Sequence, residues 1–239
     1  HGLDPILNAK GDRVIGILNG IDVEANNPAT DEGIYQKYDV KTLKKKKVNK
    51  LELMKEMGLE PDENRLLIGM VSRLVDHKGL DLVRYIFHDI MGDNVSFVLL
   101  GSGDAEYENF FREMQNRYPG RVAVRIGFIP SLSKKIYAGA DAFLMPSKSE
   151  PCGLAQMVAA RYGTLPIVRE TGGLKDSIHD VGGENGNGFT FKTYNAHDML
   201  GAIDRAGGLY YNRELWPGVV EHAMACDFTW GRSAVQYID

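Results

Sequence analysis

The sequence predicts an α/β chain folded as a doubly wound, Rossmann-like parallel sheet. From residue 66 onward, short apolar runs alternate with longer amphipathic stretches, the pattern of βαβ units. The apolar runs are nearly continuous rather than alternating, as expected of strands covered by helices on both faces. With 44% hydrophobic residues, a chain of 239 residues can bury one large core.

The predicted strands are 66–71, 95–100, 121–126, 142–145, 165–168 and 189–191. Between them, apolar residues spaced three and four apart predict helices near 79–91, 104–117, 131–138, 153–162 and 173–180. Two more helices are predicted at 195–211 and 212–225, with Trp216-Pro217 as a boundary. Ahead of the sheet, 13–18 reads as a short strand, and a polar connection to about residue 38 reads as a linker. The run Lys44 to Lys47 opens a helical stretch, 41–57, and reads as a solvated face, with an anion-binding patch as the alternative. His1 to Gly11 has no initiator Met and no nearby apolar partner, and reads as the middle of a longer chain.

Composition excludes several functions. The formal net charge of −4 gives no general polyanion surface, so no nucleic-acid partner is expected. The two cysteines, Cys152 and Cys226, lack the spaced Cys/His pairs of zinc sites, so neither a disulfide framework nor a metal is expected. No apolar run approaches the roughly 18 residues that span a bilayer, so a cytoplasmic protein without a membrane partner is expected.

Parallel doubly wound sheets bind ligands at the carboxyl ends of their strands, so the loops there hold the candidate site residues. After the first strand, Arg73 and Lys78 sit five residues apart; they are either surface charges or a pair suited to a diphosphate. After the second, Gly101-Ser102-Gly103 is either a tight turn or a close backbone approach to a ligand; Glu106 stands where a dinucleotide fingerprint needs a third glycine. After the third, Gly127-Phe128 offers a ring that either stacks on a base or packs. After the fourth, Glu150 precedes Cys152, Gly153, Leu154 and Ala155, so a carboxylate suited to sugar hydroxyls stands beside peptide N–H groups suited to an anion; a structural Glu-Pro turn is the other reading. After the fifth, Thr171-Gly172-Gly173 begins a second glycine-rich helix start that could flank the same crevice.

Ile17-Leu18-Asn19-Gly20-Ile21-Asp22, Val71-Ser72-Arg73-Leu74 with Lys78-Gly79-Leu80-Asp81-Leu82, Glu150-Pro151-Cys152-Gly153-Leu154, Tyr162-Gly163-Thr164-Leu165-Pro166 and Arg169-Glu170-Thr171-Gly172-Gly173-Leu174 occur here in order. In these motifs, covering nearly the whole chain, the sequence resembles the C-terminal half of bacterial-type glycogen and starch synthases. The resemblance implies the GT-B fold, two Rossmann-like domains facing a cleft. Residues 1–38 would be the end of the N-terminal domain and the interdomain segment, and 39–239 the donor-binding domain.

By the same resemblance, Arg73 and Lys78 match the pair that holds the donor diphosphate, and Glu150 the carboxylate on the glucose hydroxyls. Cys152, Gly153, Leu154 and Ala155 match backbone contacts to glucose and phosphate, and Gly127 and Phe128 the segment beside the adenine, where a Tyr is frequent. Val158 stands where many relatives outside the synthases carry a ribose-binding Glu, so that contact must come from elsewhere. The implied reaction transfers glucose from ADP-glucose, with retention, to the non-reducing end of an α-1,4-glucan. No Asp-x-Asp motif occurs and no separate cofactor is implied. The implied partners are ADP-glucose, the glucan, and the N-terminal domain that carries the family's Lys-Thr-Gly-Gly-Leu loop and catalytic His. The compartment would be the cytoplasm, or a plastid in a plant. Two alternatives remain open: a nucleotide-sugar or glucan-binding module without turnover, and a GT-B enzyme using a UDP-sugar.

Overall fold

In the computed structural model, residues 3–238 are described; His1 and Gly2, which begin the segment read as part of a longer chain, and Asp239 lie outside the described residues. After helix α1 (Asp4–Lys10) and α2 (Lys46–Met57), strands and helices alternate. The order is β1 (Leu66–Leu74), α3 (Leu80–Tyr85), α4 (Phe87–Met91), β2 (Val95–Gly103), α5 (Ala105–Arg117), β3 (Val122–Ile126), α6 (Pro130–Gly139) and β4 (Ala142–Met145). Then come α7 (Ala155–Arg161), β5 (Leu165–Arg169), α8 (Gly172–Ser177), β6 (Phe189–Phe191), α9 (Ala196–Tyr211), α10 (Trp216–Ala225) and α11 (Trp230–Ile238).

All six strands are parallel, in the order β3-β2-β1-β4-β5-β6. Successive strand residues face opposite sides. Leu67, Val98 and Leu100 pack under Leu53 and Met54 of α2 and Ile136 of α6. Ile68, Phe97 and Leu99 belong to the larger core with Val83, Phe87, Phe111 and Met199. The sheet is therefore covered on both faces, and its direction of winding reverses between β1 and β4. That switch opens a crevice at the carboxyl ends of those two strands.

Several elements differ from the sequence expectation. Residues 13–18 form no strand: Val14 and Ile15 are exposed, and pairing begins only with an isolated bridge from Ile21 to Thr229. The helix expected over 79–91 breaks at Ile86, whose φ of −117° and ψ of 22° lie outside the helical region. The helix expected from 212 starts at Trp216, with Pro217 in its first turn. In the lysine run, Lys44, Lys45 and Lys47 are solvated, but Lys46 turns inward and its Nζ donates to Ala138 O (2.7 Å) and Thr164 Oγ1 (2.8 Å). Burial lowers the Lys46 amine to about 7.

Residues 21–38 dock on the sheet domain. Ile21, Ile34 and Tyr38 are buried in its core, and the Tyr38 hydroxyl donates to Tyr162 O at 2.6 Å. The Tyr162 hydroxyl in turn donates to Asp31, which also pairs with Lys134 at 3.1 Å. Among the described residues no helix is long and apolar enough to cross a membrane.

Candidate functional site

The crevice at the β1/β4 switch is a cavity of about 160 Å³ whose wall includes Ser72, Arg73, Lys78, Ser147, Glu150, Gly153, Leu154 and Ala155. Two loops meet to build it. A short turn after β1, Asp76–Lys78, ends at Gly79 with φ 75°, and a Cβ there would lie 2.1 Å from Pro146 O. Only glycine allows that approach. The Lys148 N–H donates to His77 O at 2.9 Å, stitching the loop after β4 to the turn after β1. The Tyr107 hydroxyl donates to Asp76 at 2.7 Å and steadies the same turn; burial and then this carboxylate push the phenol upward, so it stays a donor.

That stitching brings the sequence candidates together. Lys78 Nζ lies 2.5 Å from Glu150 Oε2, and both side chains are largely enclosed, at 14% and 12% exposure. The Ser147 hydroxyl donates to the same carboxylate oxygen at 3.2 Å. Arg73 stands exposed at the mouth, its Nη2 3.5 Å from His77 Nε2. One cavity thus carries a free-facing guanidinium, an ammonium paired with a carboxylate, and the peptide edge of 153–155. Such a wall can hold a dense anion beside a hydroxyl-rich group.

The other predicted residues fall around this centre. Cys152 is partly buried, packs against the larger core and does not line the cavity. Thr171 leads into α8, which packs onto the Glu150 loop: the Gly173 N–H donates to both Glu150 O and Pro151 O at 3.2 Å. Gly127 and Phe128 follow β3, two strands from β1, or about 10 Å at ordinary strand spacing. Neither lines the cavity, and Phe128 is 89% exposed, so its ring is no part of the core. Gly101 to Gly103 is not a turn: β2 continues through it, pairing Gly101 with Ser72 and Gly103 with Leu74.

Three residues of the site were missed by sequence reasoning. Ser147 bonds Glu150 directly. Arg169, at the end of β5, donates from Nε to Ser147 O (3.0 Å) and from Nη2 to Lys148 O (2.5 Å), clamping the loop that carries Glu150. Gln156 lies fully buried beneath Gly153. A polar residue inside the apolar run 154–160 was the one available signal for it. Among the described residues no cluster of His, Cys, Asp and Glu could hold a metal ion.

A doubly wound domain with cations and a carboxylate at its switch point has the architecture of a domain that binds a small anionic ligand at the carboxyl ends of its strands. The family model of glycosyl transferases group 1 matches residues 55–207, and the chain belongs to that family. Its relatives include the glycogen synthase of Anoxybacillus flavithermus, 49% identical over 237 residues, which cover 98% of this chain and 49% of the relative. The glycogen synthase of Geobacillus stearothermophilus is 48% identical, again covering 98% of this chain and 49% of the relative. The catalytic domain of starch synthase IV from Arabidopsis thaliana, solved with ADP and acarbose, superposes with a TM-score of 0.93 at 39% identity. The match covers 99% of this chain and 50% of that one. The fold is thus that of a GT-B glycosyltransferase domain, and the chain spans about half the length of the curated relatives it matches.

Proposed function

We propose that this chain is the donor-binding half of a glycogen or starch synthase, which takes glucose from ADP-glucose and adds it, with retention, to the non-reducing end of an α-1,4-glucan. The observation that carries the reading is the convergence of Arg73, Lys78 and Glu150 on one cavity at the sheet switch. Similarity to glycogen synthases, and to a starch synthase solved with ADP, supports the choice of donor and acceptor.

In this reading the distal phosphate lies against Arg73, Lys78 and the 153–155 peptides, and glucose lies against Glu150. The nucleoside extends toward Gly127 and Phe128. A cavity of about 160 Å³ is too small for a whole nucleotide sugar, since ligand pockets run about 300–1,000 Å³, so part of the donor lies outside it. As the bond from glucose C1 to the phosphate oxygen breaks, negative charge grows on the leaving ADP. Arg73 and Lys78 stabilise that charge more than they stabilise the ground state. The acceptor hydroxyl oxygen bonds to C1 and its proton leaves with the phosphate, so the step balances with donor and acceptor alone. Binding also asks Lys78 and Glu150 to exchange part of their mutual pairing for phosphate and sugar.

We assign 1–38 to the end of a preceding domain and its connection, 39–239 to the donor domain, and the cytoplasm or a plastid as the compartment. Transfer also needs the acceptor held in line and water excluded by a second domain. The test is a pair of assays: calorimetry of this chain with ADP and with UDP, and transfer from radiolabelled ADP-glucose to glycogen. The reading expects the chain alone to bind ADP more tightly than UDP without transferring glucose. Tighter UDP binding would move the donor to a UDP-sugar, and glucan elongation by the chain alone would overturn the two-domain account.

A further inference from the structure

We infer that Gln156 is a positioning residue for the diphosphate site, turning two peptide planes so that the N–H groups of Gly153 and Leu154 face the cavity. The inference rests on the proposed reading of that cavity. Gln156 Nε2 donates to Cys152 O at 3.1 Å and to Gly153 O at 3.0 Å. In a trans peptide the C=O and the following N–H point in opposite directions. Drawing both carbonyls down onto Gln156 therefore sends the next two N–H groups up, and Gly153 and Leu154 are both cavity wall. Neither N–H has a protein acceptor among the described residues.

The carboxamide can sit only one way round. Carbonyl oxygens accept only from the NH2 end, so a flipped Gln156 would set its own oxygen against two others. In the orientation that serves both carbonyls, Oε1 is buried without a partner. An orphaned buried acceptor is costly, and an apolar side chain of the same shape would avoid it. A mere filler of the space beneath the loop would not need this amide.

The neighbours are fitted to it. Gly153 has φ 69°, and a Cβ there would meet Gln156 Oε1 at 2.6 Å. Gln156 Nε2 also lies 3.0 Å from Ser177 Oγ, so its two hydrogens are shared among three acceptors, and that hydroxyl donates to Gly173 O at 2.6 Å. The amide thereby ties the phosphate-facing loop to the second glycine-rich start at α8.

The experiment measures ADP and adenosine affinities by calorimetry, in competition format where weak, for the wild-type chain, Gln156→Glu and Gln156→Met, with thermal melts alongside. Gln156→Glu keeps the shape but opposes the two carbonyls, and Gln156→Met keeps the bulk without donors. ADP affinity is expected to fall about 10- to 100-fold, the effect of losing one or two charge-assisted contacts, while adenosine affinity changes less than about twofold. A purely structural role would lower stability and leave the ADP-to-adenosine ratio unchanged, which would overturn the inference. The wild-type protein gives a second readout that needs no variant: ADP should shift the Gly153 and Leu154 amide resonances, and unmoved resonances would also overturn it. If wild-type protein fails to bind ADP at all, the reading of the cavity falls too. If it binds ADP and Arg73→Ala removes that binding while Gln156→Glu does not, only the role of Gln156 fails.

Discussion

Removing the Lys78 ammonium should damage stability and catalysis separately, and the two effects can be told apart. Lys78 and Glu150 pair at 2.5 Å with 14% and 12% of their side chains exposed, so Lys78→Ala strands a nearly enclosed carboxylate. Its remaining side-chain donor is the Ser147 hydroxyl at 3.2 Å. Breaking a fully buried pair costs about 3–5 kcal/mol; because this pair borders a cavity open to water, about 1–3 kcal/mol is expected, or roughly 2–12 °C in melting temperature for a chain of this size. Glu150→Gln in the Lys78→Ala background removes the stranded charge and should recover most of that loss. Turnover should not recover. Lys78 is assigned to the leaving diphosphate, and losing one such contact costs about 3–4 kcal/mol of transition-state stabilisation, or about 10²–10³ in rate. The assay is thermal unfolding of wild type, both single variants and the double variant, with turnover measured in the two-domain protein that the proposed function calls for. A double variant no more stable than Lys78→Ala would refute the stranded-charge argument, and near-normal turnover in Lys78→Ala would refute the diphosphate assignment.

Glu150→Gln alone should depress glucosyl transfer while leaving ADP affinity within about threefold of wild type, because Glu150 is assigned to glucose; a larger loss by calorimetry would move it to the nucleotide. Phe128→Ala should weaken ADP binding by about 1–3 kcal/mol if the 89% exposed ring stacks on the base, with no change in melting temperature. Unchanged affinity would remove Phe128 from the site. For Asp31, burial pushes the carboxyl upward, but bonds from the Tyr162 hydroxyl, the Gly33 N–H and Lys134 outweigh it and hold the group below its ordinary range. Its stabilisation is therefore present above the unfolded pKa of about 3.9 and is lost as pH falls through the lower folded value. Asp31→Asn should cost about 1–3 kcal/mol at neutral pH, and the gap to wild type in urea unfolding should shrink in acid; a gap independent of pH would contradict the assignment.

The strands were legible because each is an apolar run bounded by polar loops. β1 and β2 run three residues further than their apolar stretches, since Ser72–Leu74 and Gly101–Gly103 pair with one another, and that pairing has no compositional mark. The stretch 13–18 has a strand's composition but no strand beside it. Lys46 read as solvated because its acceptors, Ala138 and Thr164, lie more than ninety residues away in sequence. At the site, Arg73, Lys78 and Glu150 could be singled out because they stand where the apolar runs 66–71 and 142–145 give way to polar segments, and because the motifs that hold them resemble those of glycogen and starch synthases. Arg169 works through the carbonyls of Ser147 and Lys148, more than twenty residues away and brought close only by the fold. Ser147 bonds the Glu150 carboxylate three residues on, and Gln156 the carbonyls of Cys152 and Gly153 just before it; composition marks these local contacts only by a polar residue inside the apolar run 154–160.

The central claim is that the crevice between β1 and β4 binds the diphosphate of a nucleotide sugar. Titrating ADP into this chain and into its Arg73→Ala variant, each shown folded by its melting curve, tests it most directly. Arg73 is exposed and its side-chain contact is with His77, so its removal should leave the fold intact. The account predicts measurable ADP binding by the wild-type chain and a loss of about tenfold or more in the variant. Absence of ADP binding, or equal binding by the two proteins, would contradict it.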